Sequence, residues 1–110
     1  MAYDEHLADR IREAVDGEPG LSEKRMFGGL AFLVHGNMAV AASSQGGVLL
    51  RVDPARSAAL LEHDHVEPMV MRGRAMDGWL HLGPQAVETD ADLRRWVDVG
   101  VDFARSLPRK

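Results

Sequence analysis

Polar and apolar positions divide the chain into stretches of two periods. From Asp4 to Asp16, Leu7, Ile11, Ala14 and Val15 recur at helical spacing with Asp and Arg opposite them, the stripe of a helix that buries one side. Acidic residues suit its first turn and Gly17 suits its end. Glu18-Pro19-Gly20 is a turn. The pattern then shortens to strand length. Residues 23–27 have extended character and run into Gly28-Gly29, while residues 30–34 and 38–42 flank His35-Gly36-Asn37, a link of hairpin length. Ser43-Ser44-Gln45-Gly46-Gly47 is a second turn, and residues 48–52 form the next strand. There Val48, Leu50 and Val52 share one face, and Leu49 and Arg51 the other. The expectation is a three-stranded antiparallel meander with the 23–27 segment at its edge.

Asp53-Pro54 is a helix start, because Asp caps the N-terminus and Pro at the first position sacrifices no needed N–H. Residues 55–61 continue that helix, with Ala58 and Leu61 three apart, until Glu62-His63-Asp64-His65 breaks the pattern. Pro68 and Gly73 interrupt residues 66–76, which predicts a short strand near 69–71 and then a turn. Residues 79–82 form another strand, Gly83-Pro84 punctuates, and Thr89 caps the last helix. Its stripe is Leu93, Trp96, Val97, Gly100, Ala104 and Leu107, and Pro108 ends it. The order α-β-β-β-α-β-β-α, with strands grouped in hairpins, predicts an α+β two-layer sandwich: an antiparallel meander plus a second hairpin. No repeat, low-complexity tract or linker interrupts it, so residues 1–110 read as a single domain.

Composition narrows the class. The 110 residues are 45% hydrophobic and 27% charged, as in a globular domain rather than a disordered or fibrous chain. No run approaches the roughly 18 apolar residues of a membrane span, and the acidic N-terminus lacks the basic and apolar parts of a secretory signal. The expected location is the cytoplasm, with no membrane partner. The formal net charge is -4, so nucleic acid is not expected as a partner on its own, because non-specific affinity comes mainly from cations neutralising phosphates. The absence of Cys excludes disulfides, thiolate-ligated metal centres and thiol nucleophiles.

Lys24, Arg25, Met26, Phe27, Gly28 and Gly29 form the most distinctive cluster. Two cations beside glycines could make a binding edge that a partner backbone approaches, or the glycines could mark a strand bend. Without a following Gly-Lys-Ser/Thr they are not a nucleotide loop. Arg72 and Arg74, with Arg51, Lys24 and Arg25, are candidates for a cationic patch, while residues 1–23 hold seven acidic residues against two basic ones. Such asymmetry favours self-association or an oriented partner. Met69, Met71 and Met76 surround Arg72-Gly73-Arg74 and suit packing or an adaptable interface. Trp79 and Trp96 are core or interface anchors. His63 and His65, beside Glu62 and Asp64, would need His6, His35 or His81 to converge with them to hold a metal. A solvated helix end accounts for them better, because polar residues concentrate where helices stop, and no metal is expected. No serine sits in a Gly-x-Ser-x-Gly turn, and no catalytic residue or cofactor is assigned.

Lys24-Arg25-Met26-Phe27-Gly28-Gly29-Leu30-Ala31-Phe32, with His35-Gly36-Asn37-Met38-Ala39 and Gly47-Val48-Leu49-Leu50-Arg51-Val52-Asp53, resembles the N-terminal domain of the TfoX/Sxy family. Trp79-Leu80-His81-Leu82-Gly83-Pro84, the Thr89–Asp92 helix start and Trp96 extend the likeness along the chain. The resemblance implies a secretion-chaperone-like two-layer fold and no recognised catalytic residues. Better-known members regulate natural competence and usually carry a second, helical domain. These 110 residues do not include one, so a standalone N-terminal domain is expected. The functional expectation is a non-enzymatic cytoplasmic interaction or regulatory module that binds a protein partner or itself as a homodimer. Lys24, Arg25, Met26, Phe27, Gly28, Gly29, Arg72 and Arg74 would form the contact. The alternatives are a competence-related regulator associated with nucleic acid and a small metal-dependent hydrolase using the histidines.

Overall fold

The computed structural model describes residues 3–26 and 28–109. Helix α1 (Glu5–Ala14) starts where the Asp4 carboxylate accepts hydrogen bonds from the His6 and Leu7 amides. Strands β1 (Leu21–Met26), β2 (Gly29–Val34), β3 (Asn37–Ala42) and β4 (Val48–Arg51) follow. A 3₁₀ turn at Pro54–Arg56, capped by Asp53, leads into the single turn α2 (Ser57–Leu60). The hairpin β5 (Val66–Met71) and β6 (Arg74–Leu82) comes next, then a 3₁₀ turn at Pro84–Val87 and the long helix α3 (Asp90–Ser106). Thr89 caps α3 by accepting from the Asp92 amide.

The fold is α+β, with a six-stranded antiparallel sheet in the order β1-β2-β3-β4-β6-β5. One more strand precedes α2 than the predicted order contains: within the 23–27 segment, the residues up to Met26 belong to a full strand, β1, which begins at Leu21 and lies at the sheet edge against β2. Residues 66–76 also differ from expectation. Both strands of the second hairpin are longer than predicted, because β5 is an edge strand and tolerates Pro68 without losing a needed ladder bond. The helix expected over residues 55–61 is only a 3₁₀ turn and one α-turn, and it buries Ser57 and Leu60 rather than Ala58.

The β2–β3 and β5–β6 links are two residues long. His35-Gly36 and Arg72-Gly73 each carry two positive φ values, the type I′ geometry whose twist matches the strands it joins. Asn37, read from the sequence as part of the first link, opens β3 instead and donates its side-chain amide to the Pro108 carbonyl at 2.9 Å.

Helices α1 and α3 cover one face of the sheet. The principal core joins Leu7 and Ile11 of α1 and Leu93, Trp96, Val97 and Val101 of α3 to Phe32, Val34, Val40, Val48, Leu50 and Leu82. Gly100 lets α3 lie close against the sheet: a Cβ there would lie 2.5 Å from the Ala39 carbonyl oxygen and 2.7 Å from Leu50. Two ion pairs tie the helices to the chain between them. Arg12 of α1 holds Glu23 of β1 in a two-pronged contact at 2.7 and 3.0 Å, and Arg105 of α3 holds Glu18 in the same way. No helix among the described residues is long and apolar enough to cross a membrane.

Candidate interaction face

A second apolar cluster lies on the other side of the sheet. It consists of Ala31, Met38, Ala41, Leu49 and Met69, with Met26, Leu33, Met71 and Trp79 half-buried against it. All nine side chains come from strands, so among the described residues no helix contributes a side chain to this cluster. Strand alternation places them there. Where Phe32, Val40 and Leu50 point to the helices, their neighbours Ala31, Leu33, Ala41 and Leu49 must point away.

Register settles where the sequence candidates fall. Lys24 lies opposite Ala31 and Arg25 opposite Leu30. Opposed residues of an antiparallel pair share a face, so Lys24 belongs to the helix-free face beside Met26, and Arg25 belongs to the helix side with Glu23. The two adjacent cations therefore do not act together. Phe27 lies outside the described residues. Gly28 has a φ of 75°, and Gly29 is where β2 meets β3 most closely: a Cβ there would sit 2.1 Å from the Ala42 carbonyl oxygen. The glycine pair thus has a geometric reason of its own.

Arg72 and Arg74 sit at the far side of the sheet. β5 and β6 occupy the edge opposite β1, so these arginines and Lys24 do not gather into one patch. Together with Met71, Ala75 and Met76 they line a recess of about 580 Å³ at the hairpin tip. Val70 beside it is 60% exposed. Arg51 is drawn to the sheet's end, with its guanidinium 5.3 Å from the Trp79 ring centre and 5.7 Å from that of Phe103, a stacking arrangement suited to its planar cation. Among the described residues no carboxylate lies within ion-pair distance of Lys24, Arg25, Arg51, Arg72 or Arg74. The ion-paired arginines, Arg10, Arg12, Arg95 and Arg105, all belong to the helices.

A groove of about 390 Å³ crosses the β5 side of the helix-free face, lined in part by Leu49, Glu67, Met69, Met71 and His81. His81 is held by the turn above it. Its Nε2 lies 2.8 Å from the Gly46 carbonyl oxygen, which can only accept, so Nε2 carries the proton. The remaining histidines are scattered: His63 and His65 are exposed at the end of α2, with His63 edge-on to Trp96 at 5.2 Å, His35 is half-buried in the β2–β3 link, and His6 is exposed on α1. Among the described residues no group of three or more His, Asp or Glu side chains is arranged to hold a metal ion.

Sequence reasoning marked Met69, Met71, Met76 and Trp79 but missed Leu33, Met38, Leu49, Glu67 and His81 as their companions. The alternation in residues 48–52 was the available signal. A family model described as the TfoX N-terminal domain matches residues 13–104, most of the chain. The chain belongs to the TfoX N-terminal domain family. No curated protein and no solved structure gives a match. The match covers β1 through most of α3, and thus every strand that builds the helix-free face of this TfoX N-terminal domain.

Proposed function

We propose that the protein is a non-enzymatic, cytoplasmic interaction module whose helix-free sheet face docks another protein surface, in keeping with the regulatory character of the TfoX N-terminal domain family. One observation carries this reading: an apolar, methionine-rich cluster of strand residues on the sheet face opposite α1 and α3, to which no helix among the described residues contributes a side chain. A two-layer domain buries one sheet face under its helices and normally presents a polar second face to water. Here Leu33, Met26, Met71 and Trp79 remain half-buried on that second face. Methionine fits this role because its flexible thioether packs against surfaces of varied shape, and tryptophan is a common anchor of binding energy.

The test is capture from native lysate by bead-bound protein. Leu33→Glu/Trp79→Glu places charge at the centre of the face, and Asp9→Lys/Glu13→Lys places charge on the exposed side of α1. The first pair should abolish retention of bound protein and the second should preserve it. Retention that survives Leu33→Glu/Trp79→Glu but is lost with the α1 variant would overturn the reading.

A further inference from the structure

The helix-free face carries a charge pattern that names its occupant, provided the docking reading above holds. One row of side chains crosses all six strands without a break in register: Lys24, Ala31, Ala41, Leu49, His81 and Glu67, each directly opposite the next. The row is cationic at the β1 edge, apolar in the middle and anionic at the β5 edge. Five interstrand spacings separate its ends by about 24 Å, too far for Lys24 and Glu67 of one chain to meet. Neither has an ion-pair partner among the described residues.

Two copies packed face to face are related by a two-fold axis lying between the sheets. An axis parallel to the strands exchanges β1 with β5, β2 with β6 and β3 with β4. It sets Lys24 of each copy over Glu67 of the other, two ion pairs in all, and sets Ala41 over Leu49. In the neighbouring row it sets Leu33 over Trp79, two of the four half-buried apolar residues of this face. An axis across the strands lays each strand over itself and opposes Lys24 to Lys24 and Glu67 to Glu67, which like-charge repulsion disfavours. We infer that the partner of this face is a second copy of the chain, paired as an aligned sheet-on-sheet sandwich about an axis parallel to the strands.

The pairing is self-complementary in charge, and this supplies its test. Sedimentation equilibrium over a wide concentration range should give a dimer for the wild type. Lys24→Glu and Glu67→Lys, each of which creates two like-charge contacts, should each weaken association by roughly tenfold or more. The double swap Lys24→Glu/Glu67→Lys rebuilds both pairs with reversed sign and should restore it. Both residues are exposed, and an unchanged Tm for each variant confirms that folding is intact. A monomeric wild type overturns the dimer, as do single variants that associate as tightly as wild type or a double swap that fails to rescue. A monomer that still captures protein from lysate through the Leu33–Trp79 face overturns the self-pairing alone and leaves the docking reading standing. Loss of both overturns the two together.

Discussion

Single atoms decide how closely the layers approach. Gly100 and Gly29 lie where an added methyl would press on backbone, the first against the Ala39 carbonyl under α3 and the second against the Ala42 carbonyl across the β2–β3 ladder. Gly100→Ala is informative because two effects oppose each other. Alanine favours an isolated helix by about 1 kcal/mol over glycine, but a 2.5 Å contact with backbone must be relieved by moving α3 off the sheet. Overpacking of this kind costs about 1–3 kcal/mol. Chemical denaturation should therefore show Gly100→Ala to be less stable than wild type; a gain in stability would mean that α3 does not sit this close. Gly100 was legible as part of the buried stripe, since it falls at helical spacing among Leu93, Trp96, Val97 and Ala104. Its reason was not legible, because the atom it makes room for belongs to a strand some sixty residues away. The same holds for Lys24 and Arg25. Adjacent cations in a strand point to opposite faces, but which face is which depends on the partner register.

Elements are joined by contacts that depend on protonation. Arg12 fastens α1 to β1 through Glu23, and Arg105 fastens the end of α3 through Glu18. Hydrogen bonds from these guanidinium groups hold both glutamates below the usual carboxylate range. A carboxyl whose folded pKa lies below its unfolded value contributes stability above the unfolded value and loses it as pH falls through the folded one. The Tm should therefore be level near neutrality and fall on acidification below the ordinary glutamate range. In Glu18→Gln/Glu23→Gln the neutral-pH Tm should be modestly lower and the acid fall shallower, since surface pairs contribute little individually. An acid profile identical to wild type would mean that the pairs do not link the elements. Helix ends were readable because their signals are local: Asp4 and Thr89 cap as their side chains dictate. The edge strands were underestimated for a physical reason. β1 is almost wholly polar after Leu21, and β5 contains Pro68, so neither shows the alternation of a half-buried strand, yet an edge position demands a ladder on one side only.

At the scale of the whole molecule, the distinctive feature is a sheet with one face under α1 and α3 and a second apolar cluster, built from strand residues alone, on the other. Local pattern cannot reveal it. Residues 30–34 and 38–42 are apolar on both sides, which reads equally well as a strand buried between two layers, and only the placement of α1 and α3 shows that both helices pack on the same face. The sheet order has the same character: β6 inserts between β4 and β5, and that long-range choice sends Arg72 and Arg74 to the edge opposite Lys24. The central claim is that another protein surface docks on the helix-free face. The most direct measurement is methionine-methyl NMR of the protein, free and bound to whichever chain it engages, with Met26, Met38, Met69 and Met71 assigned by substitution. Binding should shift or broaden these four methyl signals while the amide signals along the exposed sides of α1 and α3 stay in place. Unchanged methyl signals together with perturbed amides on α1 or α3 would contradict the account.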